Sequence, residues 1–164
     1  METSFDVRSA IQRDVPQMAR LHVQSWRETY RGLMDDAVLD DPGFVGRRER
    51  FWTAALTDPR YGANEIAVAL RDDVLVGIAM AGPAAEPDTD WSAQLYVLYV
   101  SVVVHGMGVG ASLLNAVVAP PTHSGLWVAD PNPRAQAFYR KHGFALDGES
   151  KVEDGMREVR MVRR

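Results

Sequence analysis

Cysteine is absent from this chain of 164 residues. Its absence excludes disulfide bonds, thiolate metal sites and a cysteine nucleophile, and no other metal site is expected. A chain without cysteine also suits a reducing compartment. The first ten residues, METSFDVRSA, have neither the basic start nor the apolar core of a secretion signal. We therefore expect a cytoplasmic protein.

Long apolar runs and an excess of basic residues are also missing. The longest apolar run, Leu95 to Val104, has about half the length that a transmembrane helix needs, and its β-branched residues favour a strand. Lys and Arg number 18 against 22 Asp and Glu, which gives a formal net charge of −4. The composition thus argues against a membrane or a nucleic acid as partner. A C-terminal group of arginines is best read as a solvated strand face: Arg157, Arg160, Arg163 and Arg164.

The remaining composition is that of an ordinary globular protein. Hydrophobic residues make up 46% and charged residues 24% of the chain. This length supports one buried core, and no linker or repeat divides the chain. We therefore expect a single domain over residues 1–164.

Hydrophobic periodicity and turn residues predict a mixed α/β order of elements. Helices are predicted from Asp14-Pro16 to Tyr30 and over Val45–Leu56, Gly108–Val118 and Pro133–His142. Strands are predicted over Phe5–Ala10, Ile66–Leu70, Val74–Met80, the long run from Gln94, Gly125–Asp130, Phe144–Asp147 and Met156–Val162. Gly32 and a following acidic stretch break the first helix, and Pro83–Asp90 is predicted as a loop.

A glycine turn follows the long strand and is the most informative feature of the sequence. Gly106, Gly108 and Gly110 alternate directly before an apolar helical pattern. Glycines let backbone N–H groups approach a ligand, and these groups lie at the positive end of a helix dipole. The turn therefore predicts a site for a phosphate or diphosphate.

One interpretation of this turn is a dinucleotide or S-adenosylmethionine fold. Gly106, Gly108 and Ala111 satisfy the G-x-G-x-x-A variant, and Asp130 lies where a ribose-binding carboxylate belongs. The rest of the chain does not favour this interpretation. The elements before the turn are not in βαβ order, and too few residues follow Asp130 for a doubly wound sheet.

A second interpretation explains more of the chain. The segment His105 to Gly110, HGMGVG, resembles the Q/R-x-x-G-x-G/A signature of the GNAT superfamily of N-acetyltransferases. Downstream, Asn132 to Tyr139 and Gly143-Phe144 resemble that family's N-x-x-A-x-x-F-Y-x-x-x-G-F segment. Leu21 to Leu33 is similar to the first helix of a bacterial subgroup that includes polyamine and small-amine acetyltransferases. The resemblance implies a central, mostly antiparallel sheet with a splayed parallel strand pair, flanked by about four helices.

The resemblance also implies acetyl-CoA as cosubstrate. Its diphosphate would lie on the turn, and its pantetheine arm would pair with the strand before it. The implied contact residues are Tyr99, Val100, Ser101, Val102, His105, Gly106, Met107, Gly108, Val109, Gly110, Ala111, Asn132 and Tyr139. His105 and Met107 depart from the family pattern, which reduces side-chain help for the phosphates, and the segment SVVV replaces the residues usual before the turn.

Two residues receive individual roles from the resemblance. Tyr139 matches the tyrosine that protonates the departing CoA thiolate, and a phenol with a pKa near 10 carries a proton at neutral pH. Asn132 matches an asparagine that contacts the pantetheine region. It also suits the N-cap of the helix that begins at Pro133.

The acceptor is expected to be a primary amine of a small molecule, and its base stays open. The possible bases are Glu28, Glu86, Asp88, Asp90 and Asp130, or a chain of water molecules. Trp26 and Tyr30 could line the acceptor pocket, although their helical spacing favours core packing, and His22 is read as structural. The acidic stretch mildly favours a cationic acceptor such as a polyamine. A non-catalytic acyl-CoA-binding module and a homodimer stay open.

Overall fold

The computed structural model describes residues 4–87, 89–120 and 122–164. Within them, seven strands form one sheet in the order β1-β2-β3-β4-β5-β7-β6. The strands are β1 Asp6–Ser9, β2 Glu65–Arg71, β3 Val74–Pro83, β4 Ala93–Val100, β5 Ser124–Ala129, β6 Ala145–Glu153 and β7 Met156–Arg163. The helices are α1 Val15–Tyr30, α2 Asp36–Leu39, α3 Phe44–Thr57, α4 Val109–Val117 and α5 Pro133–Lys141.

The pairing between β4 and β5 is parallel, whereas the other strand pairs are antiparallel. Only Ala93, Gln94 and Leu95 of β4 have partners on β5 in the described residues. Beyond Leu95 the two strands diverge. A register shift in the β3–β4 pairing leaves Tyr96 as the extra residue at this point, and such a bulge bends a strand. A gap therefore opens in the middle of the sheet, between the second half of β4 and that of β5.

Helices cover both faces of the sheet. On one face, residues of α1 and α3 such as Met18 and Trp52 pack against Val68, Ile78 and Val97. On the other face, Leu113 and Leu114 of α4 and Tyr139 of α5 join a core with Leu126 and Met161. A smaller cluster fills the end of the gap, where Tyr30 contacts a group that includes Ala129 and Met156.

This arrangement confirms the mixed sheet with a splayed parallel pair that the resemblance implies. The main differences from the sequence prediction are the end of β4, the short helix α2 and the end of β6. β4 ends at Val100, and Val102–Val104 form a 3₁₀ turn instead of more strand. Ser101 still donates to Val76 of β3, but its own carbonyl accepts the N–H of Val104, so the chain turns away from β3. Val102 and Val103 are consequently exposed.

The other two differences lie in polar segments. The acidic stretch after Gly32 contains the short helix α2, which Asp35 caps by accepting the N–H of Ala37. β6 extends to Glu153 instead of ending at Asp147, because Gly148, with φ of 94°, absorbs a register shift between Leu146 and Ser150. Within the described residues, no helix is long and apolar enough to cross a membrane.

Candidate active site

The turn after β4 has the conformation that its glycines predict. Gly106 and Gly108 have φ of 81° and 83°, a left-handed region that side chains with a Cβ disfavour. A Cβ built on either residue would meet no other described atom within 4 Å. The space above these two glycines is therefore open, and α4 begins directly behind it at Val109.

Backbone donors accumulate at this turn. The N–H groups of Val104, His105 and Met107 are used within the turn, and Ser112 makes the first hydrogen bond of α4 by donating to Gly108. Within the described residues, five backbone N–H groups between Val104 and Ser112 have no acceptor: those of Gly106, Gly108, Val109, Gly110 and Ala111. Unsatisfied amides at a helix N-terminus form a site for an anion such as a diphosphate.

Side chains of the turn face away from such an anion. The Nε2 of His105 lies 3.0 Å from the Val100 carbonyl oxygen, so His105 donates to the end of β4 and fixes the turn to the strand. Met107 is partly buried against the core. The departures of His105 and Met107 from the family pattern therefore leave the cradle as a main-chain structure.

The edge of β4 that faces the gap follows from its register. Ser101 donates to Val76 of β3, and amide directions alternate along an antiparallel pair. The main-chain groups of Tyr99 and the N–H of Ser101 therefore point to β3, whereas the groups of Leu98 and Val100 point into the gap. The coenzyme contacts expected of Tyr99, Val100, Ser101 and Val102 stay predictions. Val102 lies past the strand, in the 3₁₀ turn.

Three phenols and an indole meet across the gap. Trp26 of α1 donates its Nε1–H to the Tyr99 hydroxyl at 2.8 Å, and its ring lies edge-on to Tyr30 at 5.4 Å. Burial raises the pKa of Tyr99 well above its ordinary value, and the neighbouring phenols of Tyr30 and Tyr139 add to this effect. These side chains come from α1, β4 and α5, so the fold alone brings them together. We call Trp26, Tyr30, Tyr99 and Tyr139 the phenol cluster.

Tyr139 of α5 directly follows Phe138, the residue that packs on the start of α4. Its neighbour Phe138 lies 3.3 Å from the position of a Cβ at Gly110, so α5 packs tightly on the first turn of α4. Tyr139 is 8% exposed, and burial, with a further effect from Tyr30, raises its pKa above the ordinary value. Its hydroxyl has no hydrogen-bond partner in the described residues and carries its proton at neutral pH.

Asn132 caps α5, since its Oδ1 accepts the N–H of Ala135 at 3.2 Å. This cap fixes the start of the helix that carries Tyr139. The Asn132 side-chain N–H₂ group forms no hydrogen bond within the described residues, so a contact with a ligand is compatible with the cap.

Comparisons with known proteins agree with this geometry. The model of the acetyltransferase (GNAT) family matches residues 17–144, which is more than half of the chain. The chain belongs to the GNAT acetyltransferase family. It is also 30% identical over 153 residues to Probable N-acetyltransferase Rv2775 of Mycobacterium tuberculosis, an alignment that covers 90% of this chain and 84% of that protein.

Solved structures show the same fold. PaiA N-acetyltransferase from Thermoplasma acidophilum, solved in complex with coenzyme A, superposes with a TM-score of 0.76 at 17% identity, over 98% of this chain and 99% of that one. The structure of histone acetyltransferase HPA2 and related acetyltransferase from Corynebacterium glutamicum gives a TM-score of 0.72 at 22% identity, covering 98% and 96%.

Membership of the GNAT family confirms the resemblance and makes the chain an acyltransferase. The dinucleotide-fold interpretation is wrong, because a doubly wound sheet is mostly parallel and this one has a single parallel pair in the described residues. Asp130, which that interpretation assigns to a ribose, instead accepts from Arg157 at 3.1 Å and lies 3.5 Å from the Gln136 amide nitrogen.

The carboxylates considered as bases lie apart from the phenol cluster or already have partners. Glu28 is exposed on the outer side of α1 and accepts from Gln24. Glu86 accepts the Trp127 Nε1–H at 2.8 Å, and Asp90 pairs with Arg164 at 3.0 Å. Asp88 lies outside the described residues.

The acidic stretch that favours a cationic acceptor is neutralised by arginines. Arg31 bridges Asp36 and Asp40 at 3.0 and 2.8 Å, and Arg47 pairs with Asp41 at 3.3 Å. These carboxylates therefore present little free negative charge to an acceptor.

His22 is structural, as its position on the apolar face of α1 indicates. It is buried, and its Nδ1 accepts the Nε1–H of Trp52 at 3.1 Å. Burial, reinforced by the charge of Arg48, lowers the pKa of His22 to about 3. The ring is therefore neutral at physiological pH, with its single proton on Nε2.

Sequence reasoning missed two charged residues near the phenol cluster, Glu158 and Arg48. Glu158 of β7 pairs in register with Ala129, so its side chain lies on the same sheet face as Met156, which packs with Tyr30. Burial raises the pKa of Glu158, and its charge in turn raises the pKa of Tyr30. Neither residue lies in a recognisable motif, so no local signal in the sequence identifies them.

Proposed function

We propose that this chain is a cytoplasmic enzyme that transfers the acetyl group of acetyl-CoA to the primary amine of a small molecule. The observation that carries the proposal is the connection between the five free amides of the turn and Tyr139. Phe138 packs on the first turn of α4 and fixes the distance between them. A site for a diphosphate and a proton-carrying phenol are thus held in one rigid unit.

The residues present fit coenzyme A. Open space above Gly106 and Gly108 and the amides around them suit its diphosphate. The gap-facing groups of Leu98 and the N–H of Val100 suit an extended amide-containing chain that adds to β4 as a strand does. The related PaiA structure contains coenzyme A. Bound acetyl-CoA supplies an acetyl thioester as the acyl donor.

Tyr139 is proposed to donate a proton to the leaving thiolate. Its raised pKa keeps the phenol protonated across the physiological range, and its hydroxyl is not engaged by another described group. The Tyr99 hydroxyl accepts from Trp26, so its own proton is directed elsewhere in the cluster. The acetyl group passes directly to the amine, without an acyl-enzyme intermediate. The chain has no cysteine and no serine in a G-x-S-x-G turn.

Glu158 is proposed to accept the proton that the amine loses. Its carboxylate is half-buried and has no ion-pair partner within 4 Å among the described residues, since the facing Lys151 pairs with Glu153 at 3.1 Å. A raised pKa brings a carboxylate closer to the value that suits a base at neutral pH. β4 itself carries no Asp or Glu.

Tyr139→Phe tests the proposal. We expect kcat for acetyl transfer to fall by about a hundredfold or more, because the proton donor is lost, while the Kd for acetyl-CoA stays within about threefold. Thiol release across a panel of primary amines gives the rate, and calorimetry gives the Kd. Tyr61→Phe, at an exposed tyrosine between α3 and β2, is the matched control.

Two outcomes would contradict the proposal. An unchanged kcat in Tyr139→Phe would remove the role of this phenol. Thermal stabilisation of the wild type by S-adenosylmethionine, with none by acetyl-CoA or CoA, would remove the assignment of the cosubstrate.

A further inference from the structure

Arg48 of α3 is held in a cage of aromatic rings. Its guanidinium carbon lies 5.5 Å from the ring centroid of Trp26, 5.5 Å from that of Phe44 and 5.4 Å from that of Phe51. These rings come from both α1 and α3, and such distances allow cation–π attraction. The cage fixes the guanidinium beside the phenol cluster, since Trp26 belongs to both.

Arg20 of α1 and Arg50 of α3 are exposed to solvent, and several other arginines around this part of the fold have oxygen partners. Arg31 and Arg47 form ion pairs with carboxylates, and Arg27 donates to the Leu39 carbonyl at 2.7 Å. Arg48 forms no hydrogen bond or ion pair in the described residues. Its Nε is buried without an acceptor. A half-buried guanidinium without any acceptor in the described residues therefore needs an explanation.

Aromatic faces do not replace those acceptors. A guanidinium carries five N–H donors, and a buried donor without an acceptor costs free energy. Burial lowers the pKa of Arg48 from its ordinary value, with the Tyr99 phenol acting in the opposite direction. An apolar residue of similar size would fill the same space without this cost. A half-buried positive charge with one unsatisfied donor is suited to an anion supplied from outside the protein.

The anion in question is separate from the diphosphate of the coenzyme. α3 packs with α1 on one face of the sheet, and α4, which carries the turn, packs on the other. Arg48 stacks on Trp26, which donates to the Tyr99 hydroxyl, so its guanidinium lies beside the phenol cluster on the α1–α3 side of the sheet. Arg48 is only partly buried, so part of its side chain is accessible to a ligand.

We propose that Arg48 binds a carboxylate of the acceptor, so that the substrate is an amine that also carries a carboxylate, as amino acids do. This inference rests on the proposed acetyl transfer. One planar guanidinium offers two parallel N–H bonds, which match a single carboxylate. A phosphate dianion would need further cations, and the neighbouring Arg31 and Arg47 are already neutralised. The inference replaces the polyamine expected from the acidic stretch.

Matched pairs of amines test the inference on the wild-type protein. Each pair consists of an amino acid and its primary carboxamide: glycine with glycinamide, 4-aminobutyrate with its amide, and phenylalanine with its amide. We expect kcat/KM to favour the carboxylate by about 10- to 100-fold in at least one pair, since the charge-assisted bond is lost with the amide.

Variants separate recognition from packing. Arg48→Met keeps an unbranched stem in the aromatic cage and removes the charge, whereas Arg48→Lys keeps the charge and removes the fork. We expect Arg48→Met to lower kcat/KM for the carboxylate by about 10- to 100-fold with little change for the amide, and Arg48→Lys to recover part of the loss. Dividing the acid-over-amide preference of the wild type by that of the variant cancels the intrinsic reactivity of each amine. Arg47→Met, at the neighbouring paired arginine, should change neither.

The outcomes distinguish this inference from the proposed function. Acetylation of amides and acids at equal rates by the wild type would overturn the carboxylate while supporting acetyl transfer. An equal loss for both members of each pair in Arg48→Met, with the Kd for acetyl-CoA unchanged, would show a packing role only and overturn the inference. Absence of thiol release with every amine, including simple alkylamines, would instead contradict the proposed function itself.

Discussion

The two ends of the site are built from different parts of the polypeptide. The coenzyme end is one continuous segment, residues 102–111, whose donors are main-chain amides. The proposed acceptor end consists of side chains from α1, α3, β4 and β7, including Trp26, Arg48, Tyr99 and Glu158. The first end depends on backbone conformation, and the second depends on which side chains the fold brings together.

This difference determines what each end tolerates. At the coenzyme end, His105 and Met107 replace the usual residues without removing a donor, because their side chains face the protein. A Cβ at Gly108 would be far more disruptive than either replacement. At the acceptor end, a changed side chain leaves the fold intact and alters the substrate that is accepted. Variants at the two ends should therefore separate amine kinetics from coenzyme affinity.

Glu158→Gln should have the largest effect on the acceptor end. We expect kcat at saturating amine to fall about a hundredfold at neutral pH, because the amide cannot accept a proton. Burial raises the pKa of Glu158 above its ordinary value of 4.5, so wild-type kcat should fall as the pH drops below that raised value. The variant should lose this acidic limb of the kcat–pH profile, measured by thiol release.

The control for this variant is Glu153→Gln, in the same β6–β7 hairpin, where the carboxylate is exposed and pairs with Lys151. It should leave both kcat and the profile unchanged. If Glu158→Gln keeps the wild-type rate and the same acidic limb, the proton is accepted elsewhere, and the water chain considered from the sequence becomes the better explanation.

Gly108→Val should act on the coenzyme end alone. Valine disfavours the φ of 83° found at Gly108, and its branched side chain would occupy the open space above the amides. We expect the Kd for acetyl-CoA, measured by calorimetry, to rise about 30-fold, which is about 2 kcal/mol. The relative rates with different amines, at saturating acetyl-CoA, should stay as in the wild type.

Gly148→Val is a matched control, because Gly148 in β6 also has a positive φ, 94°, with open space around it. It should lower the melting temperature by a similar amount and leave coenzyme affinity unchanged. An unchanged affinity in Gly108→Val would instead mean that the diphosphate lies elsewhere.

The sequence predicts the coenzyme end well for a physical reason. Gly106 and Gly108 are required by local backbone geometry, so the motif and the structure are nearly the same information. The helices are also predicted well, because their apolar spacing is local. The end of β4 is predicted less well, since Val102–Val104 has strand-forming residues but forms a 3₁₀ turn. Pairing is a property of the whole sheet and cannot be read from three valines.

The acceptor end is predicted poorly for the opposite reason. Arg48 is one of several arginines in α3, and Glu158 one of several charged residues in β7. What distinguishes them is partial burial without a described side-chain hydrogen-bond or ion-pair partner, and partners such as Asp41 for Arg47 are set by tertiary contacts. Trp26 and Tyr30 have the spacing of core residues and do pack in clusters, yet they also form the wall of the gap. Their two roles are inseparable in the sequence.

Trp26→Phe should have the smallest effect and gives the finest comparison between the ends. Phenylalanine keeps a ring beside Tyr30 and Arg48 but removes the Nε1–H that Tyr99 accepts at 2.8 Å. Because the Tyr99 hydroxyl then loses the donor that orients it, we expect KM for the amine to rise by about 3- to 10-fold. The Kd for acetyl-CoA should not change.

Trp91→Phe is the control, since Trp91 lies before the other end of β4 and its Nε1 has no acceptor in the described residues. If Trp26→Phe weakens coenzyme binding as strongly as amine binding, the two ends are coupled through Tyr99 and do not act separately.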